Sequence, residues 1–162
     1  MGNSNEYLRL AYDLFHEACG LQMEGELEAA VELYRRSLEA FPTAEAHTFL
    51  GWTYSLQGKP DAAIEECKKA IQIDPDFGNP YNDIGACLIE KSRYREAIPW
   101  ASPCCRRQAL RHPPFRHYNL ARAYIALEQF NKAKEEFEHA LRISPQCEMA
   151  REALGALKQR IH

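Results

Sequence analysis

Cys104, Cys105, His112 and His117 are the residues whose types most suggest chemistry. Thiolates and imidazoles are zinc ligands, and His112-x4-His117 has the spacing of one ligand pair. Adjacent cysteines make a poor second pair, because neighbouring side chains on a helix diverge. His117 also falls on a packing position of the pattern described below. No metal site is therefore expected. A Gly-rich phosphate loop, a nucleophile elbow and a His-Glu-x-x-His run are all missing from the sequence. Glu65-Glu66 and Glu135-Glu136 sit among lysines and read as solvated, ion-paired helix faces. Without a convergent acid, base and nucleophile, no catalytic residue and no cofactor are expected, and the chain reads as a non-enzyme.

The elements that carry these residues belong to a chain of 162 residues, 46% hydrophobic and 27% charged. That is room for one domain of ordinary globular composition. A net charge of −3 argues against a nucleic-acid binder of the usual basic kind. No apolar run reaches the roughly 20 residues of a membrane helix, so no membrane partner is expected. Met1 to Glu6 lack the basic and apolar parts of an export signal, and Glu6 stands where a myristoylation motif needs Ser or Thr. A cytoplasmic, reducing location follows as an expectation, with Cys19, Cys67, Cys87 and Cys147 as free, buried small hydrophobes.

A repeat organises the chain. One copy reads His47, Leu50-Gly51, Tyr54, Ala63, Cys67, Ala70 and Pro75; another reads His117, Leu120-Ala121, Tyr124, Ala133, Phe137, Ala140 and Pro145. Between them lie Tyr81, Ile84-Gly85, Leu88, Ala97 and Ala101, and before them Leu14, Ala18, Leu21, Ala30, Tyr34, Ser37 and Pro42. The small residues Ala18, Gly51, Gly85 and Ala121 are spaced by 33, 34 and 36, and so are Ala30, Ala63, Ala97 and Ala133. Steps of three and four within each copy place these residues on one helical face. Small residues let paired helices approach, Gly25 and Gly58 suit the turn between them, and Pro42, Pro75 and Pro145 end the second helix. Each pair has too little apolar face to close a core alone, so stacked neighbours must bury it.

On these residues the chain resembles the tetratricopeptide-repeat (TPR) family, built of helix–turn–helix units of about 34 residues. The resemblance implies an all-α fold, a right-handed α-solenoid of about four repeats with a C-terminal capping helix. The repeats would span about 11–43, 44–77, 78–113 and 114–147, with the cap at 148–161. The expected helices are 5–24, 27–40, 44–57, 60–73, 78–91, 94–111, 114–127, 130–143 and 146–160. Arg151, Lys158, Gln159 and Arg160 suit a cap face that meets water. The third unit departs from the pattern: Pro99 near the first turn and Pro103 deeper in its second helix predict a kink or break between Ile98 and Leu110.

In the family the first helix of each unit lines a concave, peptide-binding wall, which implies partner contacts here at residues offset from the packing face. These are Tyr12, Phe15, Cys19 and Met23; Thr48, Trp52 and Leu56; Asn79, Asn82, Ala86 and Ile89; and Phe115, Tyr118, Arg122 and Ile125, with Asp83 and Asn119 at the edge. Aromatic residues are favoured interface anchors, asparagines offer donors and acceptors to a peptide backbone, and Arg122 suits a carboxylate. The alternatives are burial of Phe15 and Trp52 between helices, and a cap or turn role for Asn79 and Asn82 beside Pro80. The lysines and arginine of the clamp that grips acidic chaperone tails are missing, which disfavours that partner. The partner expected is therefore an unidentified protein or peptide. Residues 1–77 carry −8 and residues 78–162 carry +5, so head-to-tail self-assembly into a homo-oligomeric scaffold is the alternative function.

Overall fold

The computed structural model describes residues 4–101 and 113–161, without the side chains of 113, 114 and 161. Among the described residues there are nine helices and no strand. They are α1 (Ser4–Glu24), α2 (Leu27–Ala40), α3 (Ala44–Leu56), α4 (Pro60–Ile73), α5 (Asn79–Glu90), α6 (Tyr94–Ala101), α7 (Pro113–Ala126), α8 (Phe130–Ile143) and α9 (Glu148–Ile161). The expected helix boundaries hold to within two residues wherever they fall on described residues. The described part of the helix expected over 94–111 ends at Ala101, and its expected end lies outside the described residues. The helix starts at Tyr94 as expected, which makes Pro99 its sixth residue, near the first turn. Pro103 and most of the expected break between Ile98 and Leu110 lie outside the described residues.

The chain divides into two compact units, Met1–Asp83 and Ile84–His162, with the boundary inside α5. In the first, α1 pairs with α2 and α3 with α4, while α3 packs on both α2 and α1. In the second, α7 packs against α6 and α8, and α8 carries α9.

The small residues sit where helices come closest. Ala18, Ala30, Ala63, Ala97, Ala121 and Ala133 are all essentially inaccessible to solvent. A Cβ at Gly51 would stand 3.0 Å from the Ala63 carbonyl oxygen and 3.1 Å from Cys67 Sγ, so only glycine fits that approach without a shift. In the second unit Phe137 fills the space against Ala121, Ala140, Ala150 and Leu154. The cap is solvated as its sequence requires: Arg151, Lys158, Gln159 and Arg160 are exposed, and Leu154 and Leu157 face the core.

Each hairpin turns in the same way. Gly58 N–H bonds Ser55 O and Lys59 N–H bonds Tyr54 O, the paired closure of a helix C-terminus, with Gly58 at φ 72°. Gly25 does the same at φ 84°. Ser92 and Glu128 occupy the equivalent place at φ 58°, where a side chain is unfavourable. Thr43 caps α3 by accepting a hydrogen bond from Ala46 N–H at 3.1 Å, and Pro60 opens α4, where its missing N–H costs nothing.

Candidate partner-binding faces

In the first unit, α1 and α3 present an aromatic face. Phe15 meets Phe49 edge-on at 5.2 Å, and Phe49 meets Trp52 edge-on at 5.9 Å. Tyr12 packs on His16 at 4.1 Å, and His16 abuts Phe15 at 5.4 Å. Tyr12 remains 62% exposed, Trp52 44% and Met23 80%. Phe15 is half-buried, so it anchors the row while Tyr12 and Trp52 offer open ring area. The sequence reading had not singled out Phe49 or His16, the rings that join the chosen residues. Phe49 lies between Thr48, read from the sequence as an open-face residue, and Leu50, a packing residue, so periodicity gave it no distinct signal.

Two expectations are corrected in this unit. Thr48 is only 3% exposed, and its hydroxyl donates to the Ala44 carbonyl at 2.7 Å. It is turned back on its own helix and offers no surface. Cys19, expected to be buried, is only partly buried beside the Tyr34 hydroxyl, with Sγ 3.4 Å away. Cys147 is also only partly buried, whereas Cys67 and Cys87 are core residues. Tyr34 OH donates to Gln22 Oε1 at 2.7 Å, and burial pushes its phenol up from the ordinary value. Gln22 Nε2 is buried without a hydrogen-bond partner among the described residues. Asn79 opens α5 and is half-buried, as is Asn82, which bonds the Asp83 side chain. Burial pushes the Asp83 carboxyl up to about 7, against the lowering effect of that bond.

In the second unit, Arg122 extends from α7 over the Tyr118 ring, 6.0 Å from its centroid, and Tyr118 leans on Phe137 at 5.9 Å. Asn119, expected at the edge, is buried at 8% exposed, because its helix turns it toward the core beside Leu120. Ile89, Tyr94, Arg122, Ile125 and Ala126 line an open, shallow cavity of about 240 Å³. Ser92 to Glu96 and Leu127 line a second of about 360 Å³, also bounded by Tyr94. Tyr94 was not among the sequence candidates, because it opens a second helix and the candidates were drawn from first helices.

The same bridge ties first to second helix in both units. His47 Nδ1 lies 2.7 Å from Glu66 Oε2, and His117 Nδ1 lies 2.7 Å from Glu136 Oε2. Burial alone would raise the Glu66 carboxyl, but hydrogen bonds from His47 and Lys69 outweigh it and hold it below the usual carboxylate range. His117 is thus engaged in packing. Cys104, Cys105 and His112 lie outside the described residues. No described helix is long and apolar enough to cross a membrane.

Residues 44–77 and 114–147 each match a family model for the tetratricopeptide repeat. The chain belongs to the tetratricopeptide-repeat family, and its fold is the all-α solenoid of that family. Small glutamine-rich tetratricopeptide repeat-containing protein 2 of Mycosarcoma maydis is 32% identical over 59% of this chain and 27% of its own length. The type IV pilus assembly protein PilF of Pseudomonas aeruginosa is 29% identical over 77% of this chain and 50% of its own. The chain therefore spans a quarter to a half of these curated relatives. A solved structure of Pseudomonas aeruginosa PilF superposes with a TM-score of 0.82 at 24% identity, over 97% of this chain and 71% of that one. YrrB, described as a TPR protein with an unusual peptide-binding site, superposes with a TM-score of 0.70 at 18% identity, over 88% and 73%. Tetratricopeptide-repeat proteins generally mediate protein–protein interactions, and the fold is typically a non-enzymatic one.

Proposed function

We propose that the chain is a protein–protein interaction adaptor that holds a segment of a partner on the first-helix faces of its repeats. One observation carries this reading: the exposed rings of Tyr12 and Trp52 stand in one row with Phe15 and Phe49, beside exposed Met23 and Leu56. Open aromatic area of this kind is what interface hot spots are made of. Tyr118 and Arg122 would serve the same purpose in the second unit.

The test is an affinity pull-down comparing wild type with the Tyr12→Ala/Trp52→Ala double variant, read by mass spectrometry. Specific partners should fall at least tenfold while the circular dichroism spectrum is unchanged. An identical partner set for the two proteins would end the reading.

The alternative is a scaffold that self-assembles head to tail, favoured by charge. The first unit carries 6 basic and 15 acidic residues and the second 14 and 8, net −9 and +6. Light scattering against protein and salt concentration tests it. A monomer at every concentration in low salt is the result that removes it.

A further inference from the structure

The two cavities of the second unit share a wall and a surplus of positive charge. Arg93, Arg95 and Arg122 line them, against the single carboxylate of Glu96. That carboxylate is already engaged: Arg93 Nε and Nη2 donate to Glu96 at 2.8 and 2.6 Å, which holds it below the usual carboxylate range. Arg95 and Arg122 have no carboxylate partner among the described residues. Arg122 is held over Tyr118, so its guanidinium is positioned before any ligand arrives. Around it the cavity is apolar: Ile89, Ile125 and Ala126, with the Tyr94 ring between the two hollows. The helical steps 122, 125 and 126 put the cation and the apolar wall on one face of α7.

Size narrows the ligand. Hollows of about 240 and 360 Å³ lie at or below the low end of the roughly 300–1,000 Å³ range of small-molecule sites. They suit single side chains. An apolar hollow with a preset guanidinium that has no carboxylate partner among the described residues selects a carboxylate next to a branched apolar group. A unit of net charge +6 favours an acidic visitor over a basic one at every stage of approach.

We propose that the Tyr94 cavities of the second unit are a recognition site for an internal acidic residue of an extended partner segment. The Asp or Glu carboxylate pairs with Arg122, and a neighbouring Leu-sized side chain seats between Ile89 and Ile125. The inference rests on the adaptor reading above and adds the chemistry of what is held.

Fluorescence anisotropy on the full chain tests it with three fluorescein-labelled, C-terminally amidated nonapeptides. Each alternates leucine with aspartate, asparagine or lysine. The aspartate peptide should bind at least tenfold more tightly than the other two, and more weakly as salt is raised from about 0.05 to 0.5 M. Arg122→Gln should erase the preference and Arg122→Lys recover part of it, with unchanged circular dichroism in both. Equal binding of the aspartate and asparagine peptides, or a preference that survives Arg122→Gln, overturns the acidic site and leaves the adaptor reading intact. Failure of all three peptides to bind also removes the acidic site; the adaptor reading is then judged by the pull-down alone.

Discussion

The repeats at 44–77 and 114–147 are related by a shift of 70 residues, and their correspondence separates packing from recognition. His47 and His117 match, as do Glu66 and Glu136, and both bridges measure 2.7 Å. Ala63 matches Ala133, and both are sealed in the core. On the open face the pairing fails: Trp52 corresponds to Arg122. One scaffold therefore offers rings in the first unit and a guanidinium in the second. Positions that touch another helix are constrained by close packing, whereas those that face outward are free to differ.

The largest way to break this correspondence is in the core. Cys67 and Phe137 hold the same repeat position, both fully buried. Phe137→Ala should cost about 3–5 kcal/mol in urea denaturation, whereas Cys67→Ala should cost only about 1, since far less volume is lost. Equal losses would mean that the two repeats are not packed alike.

Asp83 stands where the neighbouring repeats carry Phe49 and Asn119. Its carboxyl, raised to about 7 by burial, binds a proton more readily when folded. Between its unfolded pKa near 4 and this value, stability should fall as pH rises, by up to about 4 kcal/mol in all. Asp83→Asn should flatten that slope and exceed wild type at pH 8, as followed by thermal melts across pH.

Glu66 has the opposite sign. Its folded pKa is depressed, so its contribution is present above the ordinary carboxylate range and is lost as pH falls through the folded value. Glu66→Gln should cost about 1 kcal/mol at neutral pH and progressively less in acid. The same melts would show no such convergence if the His47 bridge contributed nothing.

The smallest effect lies in the turns. Gly58 and Glu128 share the left-handed place, but Glu128 adopts it with a side chain. Glu128→Gly should stabilise the chain by about 0.5–1 kcal/mol, a gain that Gly58 already has. A loss on that substitution would show that the Glu128 side chain makes up for its own backbone.

The repeat register, the helix boundaries and the glycine turns at Gly25 and Gly58 were legible in the sequence. They depend on interactions between residues a few positions apart: helical periodicity, proline's missing donor, glycine's access to positive φ. The turns at Ser92 and Glu128 were not legible, since neither residue prefers that conformation and only the closing of the hairpin imposes it. The candidate site was read in part. Tyr12, Phe15, Trp52, Tyr118 and Arg122 sit where helical phase alone would place them. Thr48 and Asn119 show the limit, because phase gives a side chain's direction along its own helix and not what another helix lays over it.

Linear order by itself determined that this chain is an array of helical hairpins, and which faces of them meet. Only the tertiary structure decided that Phe49 would join Phe15 to Trp52, that Asp83 would hold its proton, and that Tyr94 would stand between two hollows beside Arg122. Those outcomes depend on desolvation and on contacts between residues from different helices. Both depend on distances through space, and sequence spacing encodes those only within a single helix.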